Sequence, residues 1–135
     1  MYSLISEIKE FKILGDYRGQ LVALEGNIDI PFDIKRVFYI YGTEQGVSRG
    51  NHAHYKANQF LIVVNGKCKV TLDDGIEKET FALDRPNLGL YQPTMIWGTM
   101  HDFSADCVLL VLADDIYNEK DYIRRYETFL NEVKR

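Results

Sequence analysis

The sequence predicts an all-β protein, a barrel or sandwich of short strands followed by one C-terminal helix. Three observations lead there. Strand signals recur at roughly ten-residue spacing as far as Ala113. Turn dipeptides, Asn65-Gly66 and Asp74-Gly75, punctuate them. After Asn118 the apolar period changes from that of a strand to that of a helix.

Each element has its own reason. Residues 20–25 (QLVALE) and 34–41 (IKRVFYIY) are rich in β-branched and aromatic side chains. Residues 59–64 (QFLIVV) are apolar on both faces, as a buried strand is, and Asn65-Gly66 after them reads as a two-residue hairpin. In residues 67–73, Cys68, Val70 and Leu72 share one face and Lys67, Lys69, Thr71 and Asp73 the other. Asp74-Gly75 makes a second hairpin, with Asp73-Asp74 read as a solvated turn. Residues 78–83, 87–91, 95–103 and 107–113 continue the series. Tyr122, Tyr126, Phe129, Leu130 and Val133 then fall at helical spacing, with Asn118 as N-cap and Glu119 and Asp121 opposing the helix dipole. The expectation is one domain over residues 1–135, its barrel at about 4–113 and its helix at about 118–134.

Composition narrows the function. Apolar residues make up 46% and charged residues 27%, the balance of a globular chain rather than a disordered one. A net charge of −4 argues against a broad basic face for nucleic acid. No run of apolar residues is long enough for a membrane span, and MYSLISEIKEFK lacks the apolar stretch of a signal peptide, so the expected location is the cytoplasm. Cys68 and Cys107 are too few for a disulfide framework and read as buried thiols.

The three histidines carry the most information. His52 and His54 are two apart, so in a strand both rings project from one face into one cavity. Gly46 lies five residues before His52, Asn58-Gln59 follow His54 after three, and Gly66 follows Gln59 after six. His101 stands on a later strand, in Gly98-Thr99-Met100-His101.

These spacings resemble the two motifs of the cupin superfamily, with Asn58 or Gln59 where the first motif carries Glu and Ile96 where the second carries Pro. The run Arg49-Gly50-Asn51-His52-Ala53-His54 is similar to the signature of the dTDP-4-keto-6-deoxyglucose 3,4-ketoisomerases. Further similar stretches cover nearly the whole chain, among them residues 30–40 (IPFDIKRVFYI), 65–75 (NGKCKVTLDDG), 100–104 (MHDFS) and 117–126 (YNEKDYIRRY). The resemblance implies a cupin jelly roll with a C-terminal helix. It also implies a metal-independent, cofactor-free isomerase, usually a homodimer, acting on a dTDP-linked 4-keto-6-deoxy sugar in deoxysugar synthesis.

That reaction needs a neutral base near pH 7, a second proton-handling group and donors for an enediolate. The resemblance carries catalytic roles onto His52 and His54; we assign His52 to the proton on carbon 3 and His54 to proton return at carbon 4. Arg49 is the leading candidate for the diphosphate, because a guanidinium binds phosphate oxygens as a fork, with Arg18 and Arg36 behind it. Tyr39, Tyr91 and Trp97 are candidate walls for sugar and thymine, with strand packing as the alternative for the two tyrosines. His101 is a candidate substrate contact. Two other functions remain open at this point: a metal-dependent cupin of Fe(II) dioxygenase type using His52, His54 and His101, and a non-catalytic sugar-nucleotide binder.

Overall fold

The computed structural model describes residues 6–134. The strands are β1 (Ile8–Glu10), β2 (Leu14–Asp16), β3 (Gly19–Leu21), β4 (Arg36–Tyr41), β5 (Arg49–His54), β6 (Gln59–Asn65), β7 (Cys68–Asp73), β8 (Lys78–Leu83), β9 (Leu88–Gln92), β10 (Trp97–His101), β11 (Val108–Ala113) and β12 (Tyr122–Ile123). A 3-10 turn occupies Glu119–Asp121 and a helix, α1, Tyr126–Glu132. One sheet runs β1-β9-β6-β11-β4 and the other β12-β5-β10-β7-β8; β2 and β3 form a separate hairpin. All strand pairings are antiparallel. This is the cupin jelly roll expected above, with its helix at the C-terminal end. Residues 4 and 5 of the expected barrel span lie outside the described residues.

The two sheets close on one apolar core. Leu61, Val63, Leu90, Leu109 and Val111 reach into it from the first sheet, and Cys68, Val70, Leu72, Leu83 and Met100 from the second. The alternation in β7 follows the sequence pattern, Cys68, Val70 and Leu72 buried and Lys69 exposed. Cys68 and Cys107 are buried free thiols, and burial pushes Cys68 up to about 12, so it stays un-ionised.

Four local expectations are corrected. Of residues 20–25 only Gln20 and Leu21 pair as strand; Val22 and Leu24, with Ile30, Phe32 and Ile34, lie over the outer face of the first sheet against Phe60, Ile62 and Leu112. Strand propensity there serves packing rather than pairing. Asn65-Gly66 is not a hairpin: β6 and β7 belong to different sheets, and the chain crosses between them. Asp73 is buried rather than solvated, accepting hydrogen bonds from Tyr126 Oη at 2.6 Å and the Gly75 amide at 2.7 Å. The helix is shorter than 118–134. Asn118 caps the 3-10 turn, its Oδ1 accepting from the Lys120 amide, and Tyr122 and Ile123 pair with His54 and Ala53 before α1 begins. Phe129 then anchors α1 on the outer face of the second sheet, against Ala53 and Ile123.

The crossing at Gly66 depends on glycine. Its φ is +73°, and a Cβ there would lie 2.5 Å from Ser104 Oγ and 2.8 Å from the Cys107 Cα. Gly66→Ala should therefore lower the unfolding free energy by about 1–3 kcal/mol, measured by urea denaturation; an unchanged midpoint would contradict this account of the crossing.

Candidate active site

Arg49, His52 and His54 share the inner face of β5, although an odd spacing separates Arg49 from His52. A bulge makes this possible. Gly98 pairs with His52 and Met100 with Arg49, so Gly50 and Asn51 together stand opposite Thr99. Both take positive φ, +83° for Gly50 and +57° for Asn51. One extra residue shifts the alternation, and Arg49 turns to the side of the imidazoles.

The cavity at this end of the barrel is about 390 Å³. Arg36, Tyr39, Arg49, Gln59, His52 and Arg124 line it, together with Tyr122. His54 lies deeper, 4% exposed. Its Nδ1 is 3.0 Å from Asp121 Oδ2. A carboxylate accepts, so Nδ1 carries the proton and Nε2 presents a lone pair. Tyr122 wedges against both imidazoles, ring centres 5.0 Å from His52 and 4.4 Å from His54. Its hydroxyl accepts from Arg36 Nη1 at 3.3 Å, and the Arg124 guanidinium lies 4.2 Å over its ring. Arg124 is itself held by a two-point pair with Glu119, at 2.7 and 2.9 Å.

Both imidazoles are neutral bases here. Burial first, and then the adjacent His54, push His52 down to about 4, against a backbone hydrogen bond at Gly50 that raises it. Burial also lowers His54, while Asp121 pulls the other way. Two uncharged imidazoles, His54 buried and His52 half-buried, beneath three guanidiniums suit proton transfer on an anionic substrate.

Other expected residues lie elsewhere. His101 points to the outer face of β10, with Nε2 2.7 Å from Thr71 Oγ1 and Nδ1 2.8 Å from Asp102 Oδ2. It lines a separate cleft with Trp97 and Tyr126. A three-histidine metal set of His52, His54 and His101 is therefore not formed, and His101 is not a contact for a sugar in the barrel. Trp97 also faces outward, its ring centre 5.7 Å from Phe129 beneath α1. Tyr91 faces out from the first sheet, with its hydroxyl on Asn58 Oδ1 at 3.2 Å. Arg18 sits at the tip of the β2–β3 hairpin, paired with Asp16 at 2.6 Å. Tyr39 lines the mouth and is 61% exposed.

Sequence reasoning missed four participants. Asp121 was read only as a helix-start residue, and its partner is 67 positions away. Tyr122 and Arg124 looked like helix-face residues until β12 formed beside β5. Gln59 stood out only as the residue in place of the motif's Glu.

A family model described as WxcM-like, C-terminal, matches residues 5–134. The chain belongs to that family. A curated relative is 51% identical over 124 residues, 92% of this chain and 89% of its own length: the TDP-4-oxo-6-deoxy-alpha-D-glucose-3,4-oxoisomerase of Aneurinibacillus thermoaerophilus. Two solved structures superpose with a TM-score of 0.95. One is a 3,4-ketoisomerase from Helicobacter canadensis, 44% identical, covering 98% of this chain and 100% of its own. The other is a histidine-to-asparagine variant of the 3,4-ketoisomerase QdtA from Thermoanaerobacterium thermosaccharolyticum in complex with TDP-4-keto-6-deoxyglucose, 42% identical, covering 98% and 96%.

The depressed His52 has a direct signature. Its ring protons should titrate by NMR with a midpoint near 4, leaving it neutral at pH 6. A midpoint near the ordinary value of about 6.5 would contradict the burial of this imidazole.

Proposed function

We propose that this chain converts TDP-4-keto-6-deoxyglucose, the dTDP-linked 4-keto sugar, into the corresponding 3-keto-6-deoxyhexose. The observation that carries the reading is the pair of neutral imidazoles on one strand face, one of them pinned by Asp121, in a chain 51% identical to a 3,4-oxoisomerase. The carbonyl at carbon 4 acidifies the proton on carbon 3. His52 takes that proton and the carbon 4 oxygen receives it, so an enediol forms. His54 Nε2 takes the proton of the carbon 3 hydroxyl and delivers it to carbon 4, and the carbonyl is left on carbon 3. The hydrogen moves as a proton, so the sugar is neither oxidised nor reduced overall. Arg49, with Arg36 and Arg124 beside it, binds the diphosphate as a guanidinium cluster, and Tyr39 covers the mouth. The reaction is assigned to the cytoplasm; none of the described helices is long and apolar enough to cross a membrane.

Turnover in deuterated buffer, followed by NMR, tests the roles. His52→Asn should abolish exchange at carbon 3, and His54→Asn should lose product while retaining exchange. Each should cost about 10²–10⁴-fold in rate, with TDP affinity little changed. Parent-rate turnover in both variants would overturn the assignment. A parent chain that binds TDP but does not turn the sugar over would favour a sugar-nucleotide binder instead.

A homodimer is the proposed assembly. Val37, Tyr39 and Tyr41 project to solvent from the edge strand β4, and Leu14, Tyr17 and Leu21 from the β2–β3 hairpin. A second copy would remove this apolar surface from water. Light scattering should give twice the 15.7 kDa chain mass. The single-chain mass at micromolar concentration would refute the dimer.

A further inference from the structure

We infer that Gln92 is a further substrate-positioning residue of this site, its carboxamide oxygen accepting a hydrogen bond from a hydroxyl of the reacting carbon pair. The inference rests on the isomerase reading and adds a residue to it. Gln92 ends β9, in the opposite sheet from the histidines, and pairs with the inward Gln59 across the first sheet. It is 3% exposed. Its side chain folds over the connection to β10, where Nε2 donates to the carbonyl of Ile96, the residue before that strand, at 3.1 Å. That bond fixes which end of the amide is nitrogen and turns Oε1 away from Ile96.

Gly98 is what lets the amide in. A Cβ on Gly98 would lie 2.5 Å from Gln92 Nε2 and 3.0 Å from Oε1. Gly98 is the antiparallel partner of His52, on the inner face. Paired side chains on one face start about 5 Å apart. The carboxamide of Gln92 thus occupies the place of the side chain that residue 98 lacks, directly beside His52.

Two buried polar atoms of inward residues have no partner: Gln92 Oε1 and His54 Nε2. Gln92 Oε1 and, by the Asp121 contact, His54 Nε2 are acceptors. A buried acceptor left alone is costly, and a hydroxyl satisfies it. The hydroxy-ketone carries one such hydroxyl and the enediol two. Gln92 is the strand partner of Gln59, which lines the cavity, and its amide lies over Gly98, the partner of His52. An acceptor there favours the protonated enediol over the enediolate.

The test uses the full chain with TDP-4-keto-6-deoxyglucose in deuterated buffer. Gln92→Met keeps length and removes the acceptor. Gly98→Ala keeps Gln92 and displaces its amide. Each should lower kcat by about three- to tenfold, with TDP affinity within twofold. Each should also change the ratio of carbon 3 exchange to product formed, a partition that a loss of folded enzyme would leave untouched. The double variant should be no worse than Gln92→Met alone, because the displaced group is already gone. An unaltered partition in Gln92→Met, or losses that multiply in the double variant, would overturn the inference while parent turnover preserved the isomerase reading. If Gln92→Met does not fold, the partition measured in Gly98→Ala decides. A parent chain that does not turn over the substrate overturns both.

Discussion

Asp121 holds several groups of the chain in register at once. Its carboxylate accepts hydrogen bonds from His54 Nδ1 at 3.0 Å and the amides of Lys56 at 2.7 Å and Ala57 at 3.2 Å, while its carbonyl accepts from the Tyr55 amide at 3.0 Å. Those bonds tie the loop after β5 to the C-terminal segment. They set β12 beside β5, bring Tyr122 against both imidazoles, and start α1 where Phe129 can bury itself. A carboxylate only 9% exposed is tolerable because its oxygens are all engaged. Protein architecture and histidine orientation thus depend on the same carboxylate.

The barrel interior divides along its length. One end is filled by branched aliphatic side chains, with Leu61, Val63, Val70, Leu72 and Leu109 removed from water. At the other end the inward positions are Arg36, His52, His54, Gln59, Gln92 and Tyr122. Burying imidazoles among them favours the uncharged form, since desolvation penalises the ion and not the neutral ring. The apolar half carries the stability. The polar half keeps its bases deprotonated at neutral pH.

How much of this was legible depended on whether a residue's face follows from local alternation. The strands of β6 to β11 were, because their apolar runs and alternation are strong. His52 and His54 were, because i and i+2 share a face whatever the register. His101, Trp97 and Tyr91 were not: each lies on an expected strand, but which face looks inward depends on pairing with neighbours far along the chain. Arg49 reached the site through a bulge that no local pattern announces, although Gly50-Asn51 is a pair suited to positive φ. The helix was over-read for a related reason. Tyr122 fits the helical spacing of Tyr126 and Phe129, yet tertiary pairing with His54 drew it into a strand.

The chain carries −4 overall, yet Arg36, Arg49 and Arg124 gather around one cavity, with Glu119 pairing the last of them. An acidic chain repels an anionic sugar nucleotide at long range, and a local cluster of this kind offsets that repulsion within roughly a Debye length of about 8 Å in physiological salt. The same cations act on the bases: Arg124 lowers His52, and Arg36 and Arg124 both lower His54. Guanidiniums do this without risk of losing their own proton, which lysines in a partly buried site would face. Burial is the main cause that keeps the imidazoles neutral, and the proposed diphosphate cluster adds to it in the same direction.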